Sequence, residues 1–170
     1  MIEAFLLLLA GTTPQAADPL APARAGKQQC ANPNIEKKTC AAMSSYALNT
    51  DGSFESTTTM VVSPQPLITM QVKSKGTVKD GATCGLIRSE DFQAATFAMD
   101  GKPADPAMAD AIRPQVVASI APMAGKTGCT RETPDGATAK AEVSIDGVAR
   151  PEMAQRVLWV SPADGYKLGM

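Results

Sequence analysis

The sequence predicts an α+β fold: a mostly antiparallel sheet of about six to eight short strands, one main kinked helix packed on one face, and two disulfides. Three observations favour this fold. Short segments of alternating apolar and polar residues are separated by Asp-Gly turns at 51–52, 80–81, 100–101, 135–136 and 146–147. A single segment carries apolar residues at helical spacing, and the chain has four cysteines.

The composition is that of a globular chain, since 44% of its 170 residues are hydrophobic. The chain has 16 basic and 17 acidic residues. Residues 1–17 contain one acid, Glu3, and no base, so the remainder has a formal net charge of zero. Such a balanced charge does not attract nucleic acid or an anionic membrane surface, and we expect neither as a partner.

The first residues resemble a secretory signal peptide. An apolar run at 4–10 is followed by small and polar residues, with Ala16-Ala17-Asp18 as the cleavage site. Because the segment carries Glu3 and no basic residue, an apolar strand or helix of the domain remains the alternative. We predict a signal peptide at 1–17, a flexible tail at 18–29 and a single α+β domain at 30–170. The protein is then periplasmic or secreted.

The cysteines behind this segment predict two disulfides. Of the three possible pairings we favour Cys30–Cys40, which pins the N-terminal segment to the first strand, and Cys84–Cys129, which ties a mid-chain strand to the segment after the helix. The sequence contains neither a Cys-x-x-Cys motif nor a histidine. We therefore predict no zinc site, no redox-active pair and no bound cofactor.

The strand predictions follow the alternation of side chains and the positions of the turns. In the segment 67–73, Ile68, Met70 and Val72 point inward, and in the final strand Val157 and Trp159 share a face. The predicted strands are 41–48, 54–62, 67–73, 83–88, 95–99, 128–133, 138–145 and 156–160.

The main helix is predicted to begin after Asp105, a suitable N-cap, with Pro106 at the first helical position. Its apolar stripe is formed by residues that recur every four positions: Met108, Ile112, Val116 and Ile120. Pro114 and Pro122 interrupt the segment and predict a kink near Ile112 or two shorter helices.

The absence of histidine excludes Ser-His-Asp and Cys-His catalysis and histidine-ligated metals within the chain. No serine is followed by lysine three residues later, which removes the Ser-x-x-Lys nucleophile pattern. A pair of carboxylates, as in glycosidases, remains possible without histidine. The adjacent acids Glu90 and Asp91 are better placed to cap a helical turn than to converge across a cleft.

Two groups of side chains are candidates for binding. Arg156, Trp159 and Tyr166 lie close together near the C-terminus and belong to residue types enriched at interaction hot spots. The alternative is that Trp159 is a core residue that lies over the helix stripe. Lys73, Lys75 and Lys79 form a basic group that would meet an anionic glycan or lipid head group, or that is a solvated face.

These observations lead to a functional hypothesis without an identified partner. We expect an exported, non-enzymatic binding or structural module of the cell envelope, with an envelope protein or a small ligand as its partner. Two alternatives stay open. One is a histidine-free hydrolase of cell-wall or glycan substrates, which needs two convergent carboxylates. The other is a small exported enzyme inhibitor, for which the segment Ser63-Pro64-Gln65-Pro66 would serve as the rigid loop.

Overall fold

The structure of the protein is a computed structural model that describes residues 17–170. The predicted signal peptide therefore lies outside the described residues, except for Ala17. The structure confirms a mostly antiparallel sheet with one main helix and two disulfides. The main sheet has eleven strands, more than the six to eight predicted, because one four-residue strand and two two-residue strands are too short to carry an alternation pattern.

The elements follow one another as a succession of hairpins with helical turns between them. The helices are α1 (Ala21–Arg24), α2 (Ser89–Gln93) and α3 (Pro106–Ile120), and 3₁₀ turns occur at Ala121–Met123, Pro151–Met153 and Pro162–Asp164. The strands are β1 (Gln28–Ala31), β2 (Thr39–Cys40), β3 (Ala42–Leu48), β4 (Ser53–Pro64), β5 (Leu67–Lys79), β6 (Ala82–Leu86), β7 (Thr96–Met99), β8 (Lys102–Pro103), β9 (Thr127–Asp135), β10 (Thr138–Ile145), β11 (Val148–Ala149), β12 (Gln155–Val160) and β13 (Lys167–Leu168).

The main sheet closes on itself. Its strands are hydrogen-bonded in the order β4-β3-β1-β12-β10-β9-β6-β5, and β5 pairs with β4 again. The two longest strands make this closing contact, from Ser53 opposite Thr77 to Pro64 opposite Leu67. The β7–β8 hairpin extends from the first half of β5, and β11 adds to β10. Because a closed sheet has an inner and an outer face, alternate residues of each strand divide between the two.

The helix covers part of the inner face. Met70, Val72 and Phe97 are buried there, and Ile112 and Val116 of α3 pack against them. These two residues and the buried Ile120 belong to the predicted stripe, and Asp105 accepts the Ala107 amide as the predicted N-cap (2.8 Å). The helix is not divided at Pro114, contrary to one expectation. Because proline has no amide hydrogen, Pro114 cannot donate the helical hydrogen bond to the Asp110 carbonyl. Both residues are exposed, so this carbonyl faces solvent and the helix continues.

The segment 18–29, predicted to be a flexible tail, has regular secondary structure and buried contacts. This segment contains α1 and the start of β1, a strand that the sequence analysis missed. Leu20 is only 1% exposed, and Asp18 accepts hydrogen bonds from the Leu20 amide (3.0 Å) and from Nε of Arg24 (2.9 Å). Strand β1 lies between β12 and β3 and so completes the closed sheet. The Pro/Ala/Gly-rich composition concealed a segment whose order comes from these tertiary contacts.

Both disulfides have the predicted pairing. Cys30–Cys40 joins β1 to β2, with 5.3 Å between the Cα atoms, in a buried cluster that includes Val160. Cys84–Cys129 joins directly opposite residues of β6 and β9, with 4.1 Å between the Cα atoms. Two structural disulfides fit an oxidising environment. Among residues 17–170, no helix combines the length and apolar character needed to cross a bilayer.

Candidate functional site

The structure separates the predicted group of Arg156, Trp159 and Tyr166. Trp159 belongs to the inner face, while Arg156 is exposed and donates to the Thr138 hydroxyl at 3.3 Å. Tyr166 packs beside the Cys30–Cys40 disulfide. In strand β12 the even-numbered and odd-numbered residues point to opposite faces, so Arg156 and Trp159 do not form one surface.

Trp159 belongs to a set of hydrogen-bonded side chains that we call the inner polar cluster: Gln29, Tyr46, Glu132 and Trp159. The indole Nε1–H donates to Oε2 of Glu132 at 2.9 Å, and the Gln29 amide donates to Oε1 of the same carboxylate. The Tyr46 hydroxyl donates to Oε1 of Gln29 at 3.2 Å, and its ring centroid lies 5.7 Å from that of Trp159. Both oxygens of Glu132 therefore accept a hydrogen bond.

Burial dominates the electrostatics of this cluster. It raises the pKa of Glu132 above the ordinary value, although the hydrogen bonds from Trp159 and Gln29 oppose the shift. Burial, with the nearby Glu132 carboxylate, also raises the pKa of Tyr46 to about 12. Tyr46 thus remains a donor at neutral pH. A single carboxylate held by two fixed donors is suited to joining β1, β9 and β12, and it lacks the second acid of a hydrolytic pair.

The expected contact of Trp159 with the helix stripe is not found. The buried core under α3 is formed by Met70, Val72, Ala95 and Phe97, whereas Trp159 stacks at an angle on Tyr46. The prediction placed Trp159 on a shared face with Val157, which is correct, but periodicity does not tell which part of a closed sheet the helix covers.

A groove of about 1200 Å³ lies on the outer side of β5, β6, β9 and β10. We call it the outer groove. Its floor is a row of paired residues, in which Thr77 is opposite Cys84, Cys84 is opposite Cys129, and Cys129 is opposite Ser144. One wall is the segment after β11, which contributes Arg150, Pro151 and Ala154 to the lining. The Cys84–Cys129 disulfide thus forms the middle of the floor.

Small residues create the depth of this groove. Gly76 and Gly85 line it, and their backbones approach closely, since a Cβ on Gly85 would lie 2.8 Å from the Lys75 carbonyl oxygen. Ala82 and Cys84 are buried beneath the longer side chains around them. A floor of alanine, cysteine and serine side chains leaves room above the sheet that larger residues would fill, whereas Gly76 and Gly85 alternate with Thr77 and Cys84 and contribute only backbone to the lining.

Five cationic side chains line the outer groove, against three carboxylates. Three of the cations have an acidic partner: Lys75 lies 3.1 Å from Glu55, Lys140 lies 2.7 Å from Glu142, and Arg150 lies 3.7 Å from Glu152.

Lys79 and Arg131 line the same groove and make no ion pair or side-chain hydrogen bond within residues 17–170. They lie on either side of Ala82, because Lys79 is opposite Ala82 and the neighbouring pair Thr83–Thr130 brings Arg131 beside it. With strands about 4.8 Å apart, the two Cα atoms are separated by about 10 Å across a small, buried residue. The arrangement can accept a carboxylate, phosphate or sulfate between two cations.

The three carboxylates of the lining do not form a catalytic pair. Glu142 is bound to Lys140, which lowers the pKa of Glu142. Asp146 accepts the Thr127 amide at 2.8 Å, and Asp80 is a turn residue with a left-handed backbone (φ 50°). Among residues 17–170, no group of three or more acidic, cysteine or histidine side chains is arranged to hold a metal.

A second depression, of about 600 Å³, lies where α2 faces β5. Its charged side chains are largely paired. Arg88 lies 3.9 Å from Asp91 and 4.0 Å from Glu90, the two acids expected to cap a helical turn. This depression therefore has less capacity for a charged ligand than the outer groove.

The sequence analysis found part of the groove. Lys75 and Lys79 line it, whereas Lys73, the third member of the predicted basic group, lies in the second depression. Arg131 and the small residues of the floor were missed. The usable signal was the alternation of outward residues on β5, combined with the predicted Cys84–Cys129 pairing.

Comparison of the chain with protein-family models, curated proteins and solved structures finds no match.

Proposed function

We propose that this protein is a non-enzymatic binding module of the periplasm or the extracellular space, and that its ligand carries an anionic group bound in the outer groove. The observation that carries the proposal is the position of Lys79 and Arg131 on either side of the buried Ala82. Neither cation makes an ion pair within the described residues, and Glu142, which lies opposite Arg131, is paired with Lys140 instead. The signal-like N-terminus and the two disulfides support the compartment.

The side chains favour binding over hydrolysis. A glycosidase needs two free carboxylates on opposite sides of a bond, but Glu142 is neutralised by Lys140 and Asp146 holds a backbone amide. The inhibitor alternative depends on the segment 63–66, where Ser63 Oγ reaches the Gln65 carbonyl at 3.5 Å. That segment does not line the outer groove, so the two hypotheses make different predictions for groove variants.

The test is an NMR titration of the protein with hexanoate, a small carboxylate, and with hexanamide, its uncharged counterpart. We expect hexanoate to shift the amide signals of Lys79, Ala82 and Arg131, and hexanamide to leave them unchanged. The double variant Lys79→Gln/Arg131→Gln should weaken binding at least about tenfold, since each charge-assisted contact is worth about 1.5–3 kcal/mol when well formed. Added salt should weaken binding to the wild type.

The control variant replaces two exposed lysines outside the groove, Lys37→Gln/Lys102→Gln, and changes the net charge by the same amount. If it weakened hexanoate binding as much as the groove variant, the effect would be one of overall charge and the proposal would be wrong. Equal shifts with hexanamide, or shifts confined to the segment 63–66, would also contradict it.

A further inference from the structure

We propose that the ligand is a single-chain amphiphile, a free carboxylate with an unbranched apolar chain of about ten to twelve carbons, which lies lengthwise in the outer groove. This inference rests on the proposed function. The carboxylate lies between Lys79 and Arg131, and the chain runs over the Cys84–Cys129 disulfide toward Leu86. The reasons are the length of the floor, the character of its two ends and the charge at each end.

The length comes from β9, which runs along the whole floor. Arg131 marks the cationic end, and Thr127, opposite Leu86, marks the other end. Four residues of a strand span about 14 Å at about 3.4 Å per residue. An extended chain of about ten to twelve carbons, with bonds of about 1.5 Å, has a similar length. The floor between these ends carries the disulfide and no charged side chain on its central row.

The two ends of the groove differ in polarity. Leu86 is 51% exposed, a large apolar side chain left in contact with solvent at one end of the floor. The apolar wall begins at Ala149, opposite Ser144 beside the disulfide row, and continues through Pro151 toward Ala154. Covering this apolar surface is favourable for a hydrocarbon chain. At the other end the floor offers small residues and the two cations, which suit a carboxylate better than a chain.

Charge fixes the direction of the ligand. At the cationic end, Lys79, Arg131 and Lys140 face the carboxylates of Asp80 and Glu142, which leaves an excess of one positive charge. At the Leu86 end, Asp146 is held against the Thr127 amide, and Lys75 is neutralised by Glu55. A carboxylate placed beside Leu86 would therefore meet Asp146, and the opposite orientation is favoured.

Other ligand classes fit the groove less well. The part of the chain that lines it contains no Trp, Tyr or Phe, so a sugar ring has no aromatic platform on which to stack. The floor strands are paired on both sides, β6 with β5 and β9, and β9 with β6 and β10. An extended peptide cannot add to them as a further strand, because their backbone groups are already hydrogen-bonded.

The test measures the affinity of the wild type for hexanoate, octanoate, decanoate and dodecanoate by calorimetry, below the concentration at which micelles form. A fully buried methylene would raise affinity about fourfold, and a groove open on one side about twofold. We therefore expect affinity to rise about 60-fold from hexanoate to dodecanoate. An intermolecular NOE between the terminal methyl of dodecanoate and the Leu86 methyl groups should locate the chain end.

Leu86→Ser should reduce the gain in affinity from hexanoate to dodecanoate. The matched control is Ile35→Ser, which removes a similarly exposed side chain (48%) outside the groove and should leave the whole series unchanged. The chain-length series on the wild type tests the proposal independently of how well either variant folds.

The possible outcomes distinguish a failure of this inference from a failure of the proposed function on which it rests. Hexanoate binding between Lys79 and Arg131 without a rise along the series would overturn this inference and leave the proposed function standing. No shift with any carboxylate would overturn the proposed function itself. Equal affinity for dodecyltrimethylammonium, or binding to phosphatidylglycerol vesicles in place of free dodecanoate, would contradict a site for a free carboxylate.

Discussion

Replacing Gly76 or Gly85 by alanine should destabilise the protein, while the same change at Gly128 should not. A Cβ on Gly76 would lie 2.5 Å from the Cys84 carbonyl oxygen and 2.5 Å from Cζ of Phe54. A Cβ on Gly85 would lie 2.8 Å from the Lys75 carbonyl oxygen. Backbone atoms cannot give way as a flexible side chain does, so β5 and β6 must move apart to admit either methyl group.

Gly128 provides the matched control in the adjacent strand. A Cβ there would meet only side-chain atoms, Cδ1 of Ile87 at 3.4 Å and Cγ1 of Ile87 and Cδ1 of Ile145 at 3.6 Å. These are ordinary van der Waals distances. None of the three glycines has a positive φ, so the comparison isolates the space available for a methyl group from backbone strain.

The expected magnitude is the difference between two effects. Overpacking a close contact costs about 1–3 kcal/mol. Alanine also restricts the unfolded chain, which stabilises the folded protein by about 0.4–1 kcal/mol. Gly76→Ala and Gly85→Ala should therefore each lose about 1–2 kcal/mol, and Gly128→Ala should be neutral or gain up to about 1 kcal/mol. At about 2–4 °C per kcal/mol, the first two should lower Tm by about 2–8 °C.

Urea unfolding followed by Trp159 fluorescence measures these differences, and an unchanged m value shows that the variants unfold from the same compact state. If Gly76→Ala and Gly85→Ala unfolded like the wild type, the close approach of β5 and β6 would be wrong. A similar loss in Gly128→Ala would mean that glycine is needed in these strands for another reason.

Four further predictions concern the inner polar cluster, the Lys140–Glu142 pair and the disulfides. The pKa of Glu132 is raised in the folded protein, so its contribution to stability is present below the ordinary pKa of a glutamate and is lost as pH rises through the raised value. In urea titrations, the stability of the wild type relative to Glu132→Gln should therefore fall with rising pH. Glu142→Gln should show the opposite trend, since the pKa of Glu142 is lowered by Lys140. Trp159→Phe should cost about 1–3 kcal/mol in the same assay by removing one donor from Glu132. In the Glu132→Leu background, where no side-chain oxygen can accept the indole N–H, a cost that persists undiminished would contradict this origin. Replacing both cysteines of a disulfide by serine should cost about 4 kcal/mol for Cys84–Cys129, which closes a loop of 45 residues, and about 2.7 kcal/mol for Cys30–Cys40, which closes a loop of 10. If thermal unfolding gave the reverse order, the entropy of loop closure would not be the origin of the stabilisation.

The strands that the sequence predicted are those with a strong local signal. The segment 67–73 alternates cleanly and forms the first part of β5, and Pro134-Asp135-Gly136 predicted the β9–β10 hairpin. These signals are local because alternation and turn chemistry act within a few residues. Strand β1 was missed because Gln28–Ala31 is too short to alternate, and it is held by β12 and β3, which lie far away in the sequence.

Local sequence patterns also do not predict that the sheet closes on itself. Closure requires β5 to pair with β4 on one side and with both β7 and β6 on the other, and no single segment encodes this arrangement. The misplaced contact of Trp159 has the same origin. Its face was predicted correctly, but the position of α3 against Met70 and Phe97 depends on the closed sheet as a whole.

The sequence contained more information about the outer groove than the sequence analysis used. The sequence analysis paired Cys84 with Cys129 and placed Lys75 and Lys79 in a basic group, and both lie in the outer groove. In an antiparallel pair with these cysteines opposite each other, a step of two residues along both strands brings Arg131 beside Ala82 on the same face. The predicted disulfide therefore contained enough information to add Arg131 to the basic group. What it could not supply is the depth of the groove, because that depends on which strands pair in the closed sheet and on the wall that Arg150, Pro151 and Ala154 form above them, a property of the assembled sheet.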